Sequence, residues 1–142
     1  MLVKVIVAFI ATFCFSVLFK APTRLLFFCG LIGTIAYFIN LLLRHFGVDP
    51  ILSTFLASII LTTFARFFSY WKNTPSTVFL IPGIFPLVPG TGIYYTINFI
   101  FATEYILAIT KAVETLLIAG AIVVGILVGI ALPKKLFFLV TK

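Results

Sequence analysis

Charge is scarce in this sequence. Only 9% of the 142 residues are Asp, Glu, Lys or Arg, and only three are acids. Soluble domains carry about 25% charged and about 45–50% apolar residues. Here 63% of residues are hydrophobic and the mean hydropathy is +1.34. A soluble fold of this size cannot hide so much apolar surface, because part of any small domain faces water. The single histidine, His45, excludes a His-based metal site and a histidine relay. No paired acids and no nucleophile with a base stand within an apolar run, so the chain does not read as an intramembrane enzyme, and no cofactor is implied. Cysteine is limited to Cys14 and Cys29, with no CxxC motif and no framework of bridges. Both read as small buried hydrophobes. If the first two helices form a hairpin, the two cysteines sit at similar depth. The formal net charge of +7 comes from basic residues placed singly between apolar runs. Without a basic cluster or an RNA-binding aromatic signature, nucleic acid is excluded as a partner.

What the chain has is apolar length. A helix crossing a bilayer needs about 20 mostly apolar residues. Leu2 to Phe19 is one such run, and Leu25 to Leu43 is a second, ending at Arg44, His45 and Gly47. The first run reads as a retained span rather than a signal peptide. It is long, and Lys20-Ala21-Pro22-Thr23-Arg24 is no A-x-A cleavage site. Asp49-Pro50 has the form of an N-cap followed by proline at the first helical position. It opens a third run, Ile51 to Phe68. Ser69 to Ser76 reads as a polar loop, with Tyr70 and Trp71 at headgroup level. A proline- and glycine-rich stretch, Thr77 to Thr110, follows. The last run extends from about Ala112 to Leu132 and closes at Pro133-Lys134-Lys135. The expected fold class is all-α: a polytopic membrane helix bundle of about five transmembrane helices, one of them broken by the Pro/Gly segment. Residues 1–142 form a single transmembrane domain.

Counting basic residues on alternate sides gives an orientation. Lys4, Arg44 and Lys111 fall on one side. Lys20, Arg24, Arg66, Lys72, Lys134, Lys135 and Lys142 fall on the other. The positive-inside rule then places the N-terminus outside and the C-terminus in the cytoplasm of a multi-pass protein of the plasma (inner) membrane.

The Pro/Gly segment holds the chemistry. Proline lacks a backbone donor and displaces the carbonyl four residues earlier. Pro82, Pro86 and Pro89 should therefore free the carbonyls of Val78, Pro82 and Phe85. Gly83, Gly90 and Gly92 loosen the same stretch. Unsatisfied backbone is not tolerated against lipid, so the segment must be buried in protein or line water. Freed carbonyls can accept from an ammonium group. A helix restarting near Thr91 offers N–H groups and the positive end of its dipole to a carboxylate. Composition alone leaves open an interfacial connection between spans, and whether the segment is re-entrant or a broken helix.

Pro82-Gly83-Ile84-Phe85-Pro86-Leu87-Val88-Pro89-Gly90, with Tyr94 soon after, resembles the signature of the threonine/serine exporter family. In that family a PG…PLVPG stretch lies in the C-terminal half, which some members encode as a separate small membrane subunit. The resemblance spans most of the chain, including a glycine-rich final helix. It implies a secondary exporter of small amino acids. It also implies a half-transporter unit that needs a larger membrane subunit carrying the other half and does not transport alone. Some two-subunit members are linked to export of a dicarboxylate (succinate-like), which is the alternative substrate class. A non-transporting structural subunit is a further alternative. The candidate substrate-binding residues are Pro82, Gly83, Pro86, Pro89, Gly90 and Tyr94 from the signature, with Thr91 and Gly92 from the restarting helix. Arg66 joins them as a cation within a span.

Other polar positions have plainer readings. Thr54, Ser58, Thr62 and Arg66 recur every four residues and share a face, with the hydroxyls expected to bond back to their own helix. Asn40, on the face of Gly33 and Tyr37, is expected to bond a neighbouring helix. Ala121, Gly125 and Gly129 form a small-residue face for close packing. Glu104, Lys111 and Glu114 read as a solvated cluster in an outer loop.

Overall fold

The computed structural model describes residues 2–133, and among these every regular element is helical. Helix α1 is Leu2–Leu18 and α2 is Leu26–His45, the latter entered through a 3-10 turn at Thr23–Leu25. Helix α3 is Pro50–Lys72, α4 is Thr77–Ile84, α5 is Gly90–Phe101 and α6 is Tyr105–Ala131. Helices α2 (with its leading turn), α3 and α6 are long and apolar enough to cross a membrane. So is the pair α4 and α5 taken together, bent by 43° at the break. Helix α1 has 17 residues, about 26 Å against a hydrocarbon core of about 30 Å. It packs along α2 as a hairpin arm. The chain is an all-α membrane helix bundle with one broken helix.

Local chemistry explains the boundaries. The Oδ1 atom of Asp49 accepts from the Ile51 N–H at 2.7 Å, and Pro50 takes the first helical position, so α3 starts where the cap requires. Helix α3 runs past the expected end at Phe68 as far as Lys72. Asn73 then takes the left-handed conformation (φ 49°, ψ 46°), and its N–H closes on the Ser69 carbonyl. The loop expected over Ser69 to Ser76 thus shrinks to residues 73–76. Lys72 lies over the rings of Trp71 and Phe28, at 4.0 and 4.8 Å from their centroids. Helix α6 begins at Tyr105, seven residues before the expected start near Ala112, after a turn that Thr103 makes at φ 60°. Lys111 and Glu114 are therefore on a helix and not in an outer loop. The closing residues Lys134 and Lys135, and Lys142 from the charge count, lie outside the described residues.

The packing sets the depth of each helix. The α3 stripe is fully engaged. The hydroxyls of Thr54, Ser58 and Thr62 donate to the carbonyls of Pro50, Phe55 and Ser58. The face they leave is narrow enough for α6 to approach. Gly125 lies against Ser58 and Gly129 against Thr62, so α3 and α6 run parallel in close contact. Gly33 of α2 and Gly83 of α4 meet backbone to backbone, with Leu61 of α3 on the other side of Gly83. Cys29 is buried and its Sγ reaches the Val78 carbonyl at 3.5 Å, whereas Cys14 is exposed on α1; both thiols are free.

Candidate functional site

The break is where the bundle opens. Helix α4 carries Pro82 inside it and ends at Ile84. A 3-10 turn at Phe85–Leu87 follows, then the extended Val88 and a tight turn at Pro89 (φ −77°, ψ 59°), then α5 from Gly90. The three carbonyls that proline should strand all have donors. Val78 accepts from the Cys29 thiol, Pro82 from the Phe85 N–H, and Phe85 from the Val88 N–H at 3.2 Å. The tightened 3-10 geometry re-pairs the backbone locally. Val88 and Pro89 are used as well, by the N–H groups of Gly90 and Ile93. The carbonyls expected to be freed by proline are therefore not free. What the break presents is donors: the N–H groups of Thr91 and Gly92, at the start of α5, have no hydrogen-bond partner among the described residues.

These donors edge a cavity of about 390 Å3, within the range of ligand sites of about 300–1,000 Å3. The break supplies Pro86 to Pro89, and α5 supplies Gly90, Thr91, Gly92 and Tyr95. Helix α2 supplies Tyr37, Asn40, Leu41 and Arg44. Helix α6 supplies Lys111, Glu114, Thr115 and Ile118. Lys111 and Glu114 form an ion pair at 2.7 Å, one turn apart, with side chains 33% and 40% exposed. Asn40 is buried and joins α2 to α3 by donating to Thr54 at 3.2 Å. Arg44 also donates to the Thr54 hydroxyl, at 3.3 Å, and has no carboxylate partner among the described residues. Two cations and one acid thus face the cavity, leaving one net positive charge. Gly90 is open: a Cβ built there meets nothing within 4 Å. Gly92 is the reverse, held against the Thr115 side chain.

The residues singled out from sequence divide into two groups. Pro86, Pro89, Gly90, Thr91 and Gly92 come together in this cavity. Pro82 instead lines a smaller hollow of about 160 Å3 with Phe19 to Pro22, Thr77 and Ile81, and Gly83 is a packing point. Tyr94 is 66% exposed and points away, its ring 5.6 Å from that of Tyr95, which does line the cavity. Arg66 lies elsewhere. Its Nη1 donates to the carbonyls of Gly129, Ile130 and Leu132 at 2.8–2.9 Å, closing the C-terminal end of α6. Tyr37, Arg44, Lys111 and Glu114 were not anticipated as cavity residues. The fourfold spacing of Asn40 and Arg44, and of Lys111 and Thr115, was the available signal.

The family profile described as Threonine/Serine exporter, ThrE matches residues 4–132, from α1 to just past the end of α6. The chain belongs to the threonine/serine exporter family. This threonine/serine exporter family member is a multi-pass membrane protein, and the family is one of transporters and not of enzymes. No solved structure matches the chain. In this exporter family member the PG…PLVPG signature runs from the last three residues of α4 through the 3-10 turn to the first residue of α5, and its Pro86 to Gly90 part is a wall of the cavity.

Proposed function

We propose that the chain is the membrane subunit of a secondary exporter for small amino acids of the threonine/serine type, and that it forms the translocation path with a larger partner subunit. The observation that carries this reading is the cavity at the break of a broken helix, edged by unpaired backbone donors and by Arg44 and Lys111. Discontinuous helices whose N-terminal ends face anionic groups are a recurrent substrate site in transporters. The substrate carboxylate is assigned to the N–H groups of Thr91 and Gly92, supported by Arg44. With α1 and the broken pair each counted as one crossing, residues 2–133 cross five times. An odd number of crossings leaves two such units in series inverted, a common basis of alternating access. This supports a second half. The proposed orientation has the N-terminus outside and the C-terminus in the cytoplasm. Among the described residues Lys20, Arg24, Arg66 and Lys72 at one end outnumber Lys4, Arg44 and Lys111 at the other.

Single cysteines placed from Ile81 to Thr91 test the reading, with Cys14 and Cys29 replaced by alanine. In the assembled exporter, positions 90 and 91 should react with a water-soluble thiol reagent, and threonine should slow that reaction. If neither position reacts, the segment is lipid-remote packing and the chain is a structural subunit. The net positive charge of the cavity favours a dicarboxylate as the second reading. Protection of Thr91→Cys by succinate and not by threonine would select it.

A further inference from the structure

We propose that Glu114 is the residue that makes this cavity select an amino acid over a dicarboxylate, by taking the substrate's ammonium group in exchange for Lys111. The proposal rests on the transport reading above. An ammonium group entering the cavity needs an acceptor. In the backbone of the break the carbonyls of Val78, Pro82, Phe85, Val88 and Pro89 each already accept a hydrogen bond, and no backbone carbonyl carries the full negative charge that balances an ammonium group. Among the neutral polar side chains Asn40 is bonded to Thr54 and the Thr115 hydroxyl donates to the Lys111 carbonyl, while the hydroxyls of Tyr37, Thr91 and Tyr95 bring no charge. Glu114 is the one carboxylate among the described lining residues, and its side chain is part-exposed.

Its pairing with Lys111 makes it switchable. The substrate ammonium can replace the Lys111 ammonium on Glu114, one cation for another, so no charge is stranded in the low-dielectric interior. The released Lys111 then joins Arg44 on the substrate carboxylate. A dicarboxylate makes a different count. Its two carboxylates can use Arg44 and Lys111, but Glu114 is then left unpaired beside a like charge. Glu114 is therefore attractive to a zwitterion and repulsive to a dianion, and selectivity commonly rests on such a repulsive element.

The test is exchange of labelled threonine and labelled succinate by the exporter reconstituted with its partner subunit in liposomes. Glu114→Gln should lower the threonine-to-succinate ratio about tenfold, the order expected of one charge-assisted hydrogen bond. Glu114→Asp should keep most of the wild-type ratio. Lys111→Gln leaves Glu114 uncompensated and should move the ratio the other way. If Glu114→Gln and Lys111→Gln shift the ratio in the same direction, or Glu114→Gln lowers both substrates equally, the ion pair is structural and the proposal is overturned. An unchanged ratio in exporter that still moves threonine overturns it while leaving the transport function standing. Wild-type liposomes that exchange neither substrate overturn the transport reading itself, and this one with it.

Discussion

The two ends of the α3–α6 pair use the same ingredients for opposite purposes. At one end Gly125 and Gly129 press onto Ser58 and Thr62, and the Arg66 guanidinium is spent on three carbonyls of α6. At the other end α6 borders a cavity together with α2, α5 and the break. There Arg44 donates to a hydroxyl and has no carboxylate partner among the described residues, Lys111 and Glu114 stay part-exposed, and Gly90 faces open space. A cation in a membrane helix is costly wherever it sits. It becomes a structural clamp when its donors end on helix carbonyls, and a recognition group when they are left facing a space. Glycine divides the same way: one is a packing surface, the other a clearance.

This contrast can be broken by substitution, ranked here by the expected effect on stability. Arg66→Leu removes every donor from the α6 carbonyls and should cost on the order of 3 kcal/mol. Unfolding in mixed micelles reads this, and an unshifted transition would show that the clamp holds nothing. Gly129→Val places a Cβ 2.6 Å from that of Thr62 and should push the helices apart at about 1–3 kcal/mol. Loss of assembly with the partner subunit on size-exclusion chromatography is the accompanying readout. Arg44→Gln keeps a donor for Thr54 and should cost about 1 kcal/mol or less, while threonine exchange falls about tenfold. Gly90→Val meets no neighbour and should leave stability within about 0.5 kcal/mol, yet fill the cavity and abolish exchange. Normal exchange by an assembled Gly90→Val exporter would reduce the break to a connection.

Much of the bundle was legible because it depends on local rules. Asp49-Pro50 starts α3 as a cap and proline should, the hydroxyls of Thr54, Ser58 and Thr62 bond back along their helix, and the Gly125–Gly129 face packs closely. The break itself follows from proline. Its chemistry did not, because the stranded carbonyls are re-paired by a 3-10 turn and by a thiol 49 residues away in sequence. The start of α6 was hidden for a different reason. The turn at residues 102–104 contains neither glycine nor proline, so nothing separated Lys111 and Glu114 from a loop. Which of Tyr94 and Tyr95 faces inward depends on the rotation of α5, and one residue is about 100° of turn. The destination of Arg66 lies 63 to 66 residues along the chain and is purely a matter of tertiary packing.

The position of the Arg66 clamp has a mechanical consequence. Two rods pinned together at one end can separate only at the other, and the displacement grows with distance from the pin. Lys111 lies 18 residues from Gly129, about 27 Å along the α6 axis. A tilt of about 5° about the pin moves Lys111 and Glu114 together by about 2 Å relative to Arg44 on α2. The α6 helix is thus a lever whose fulcrum is glycine and arginine and whose long arm carries the charges of the cavity.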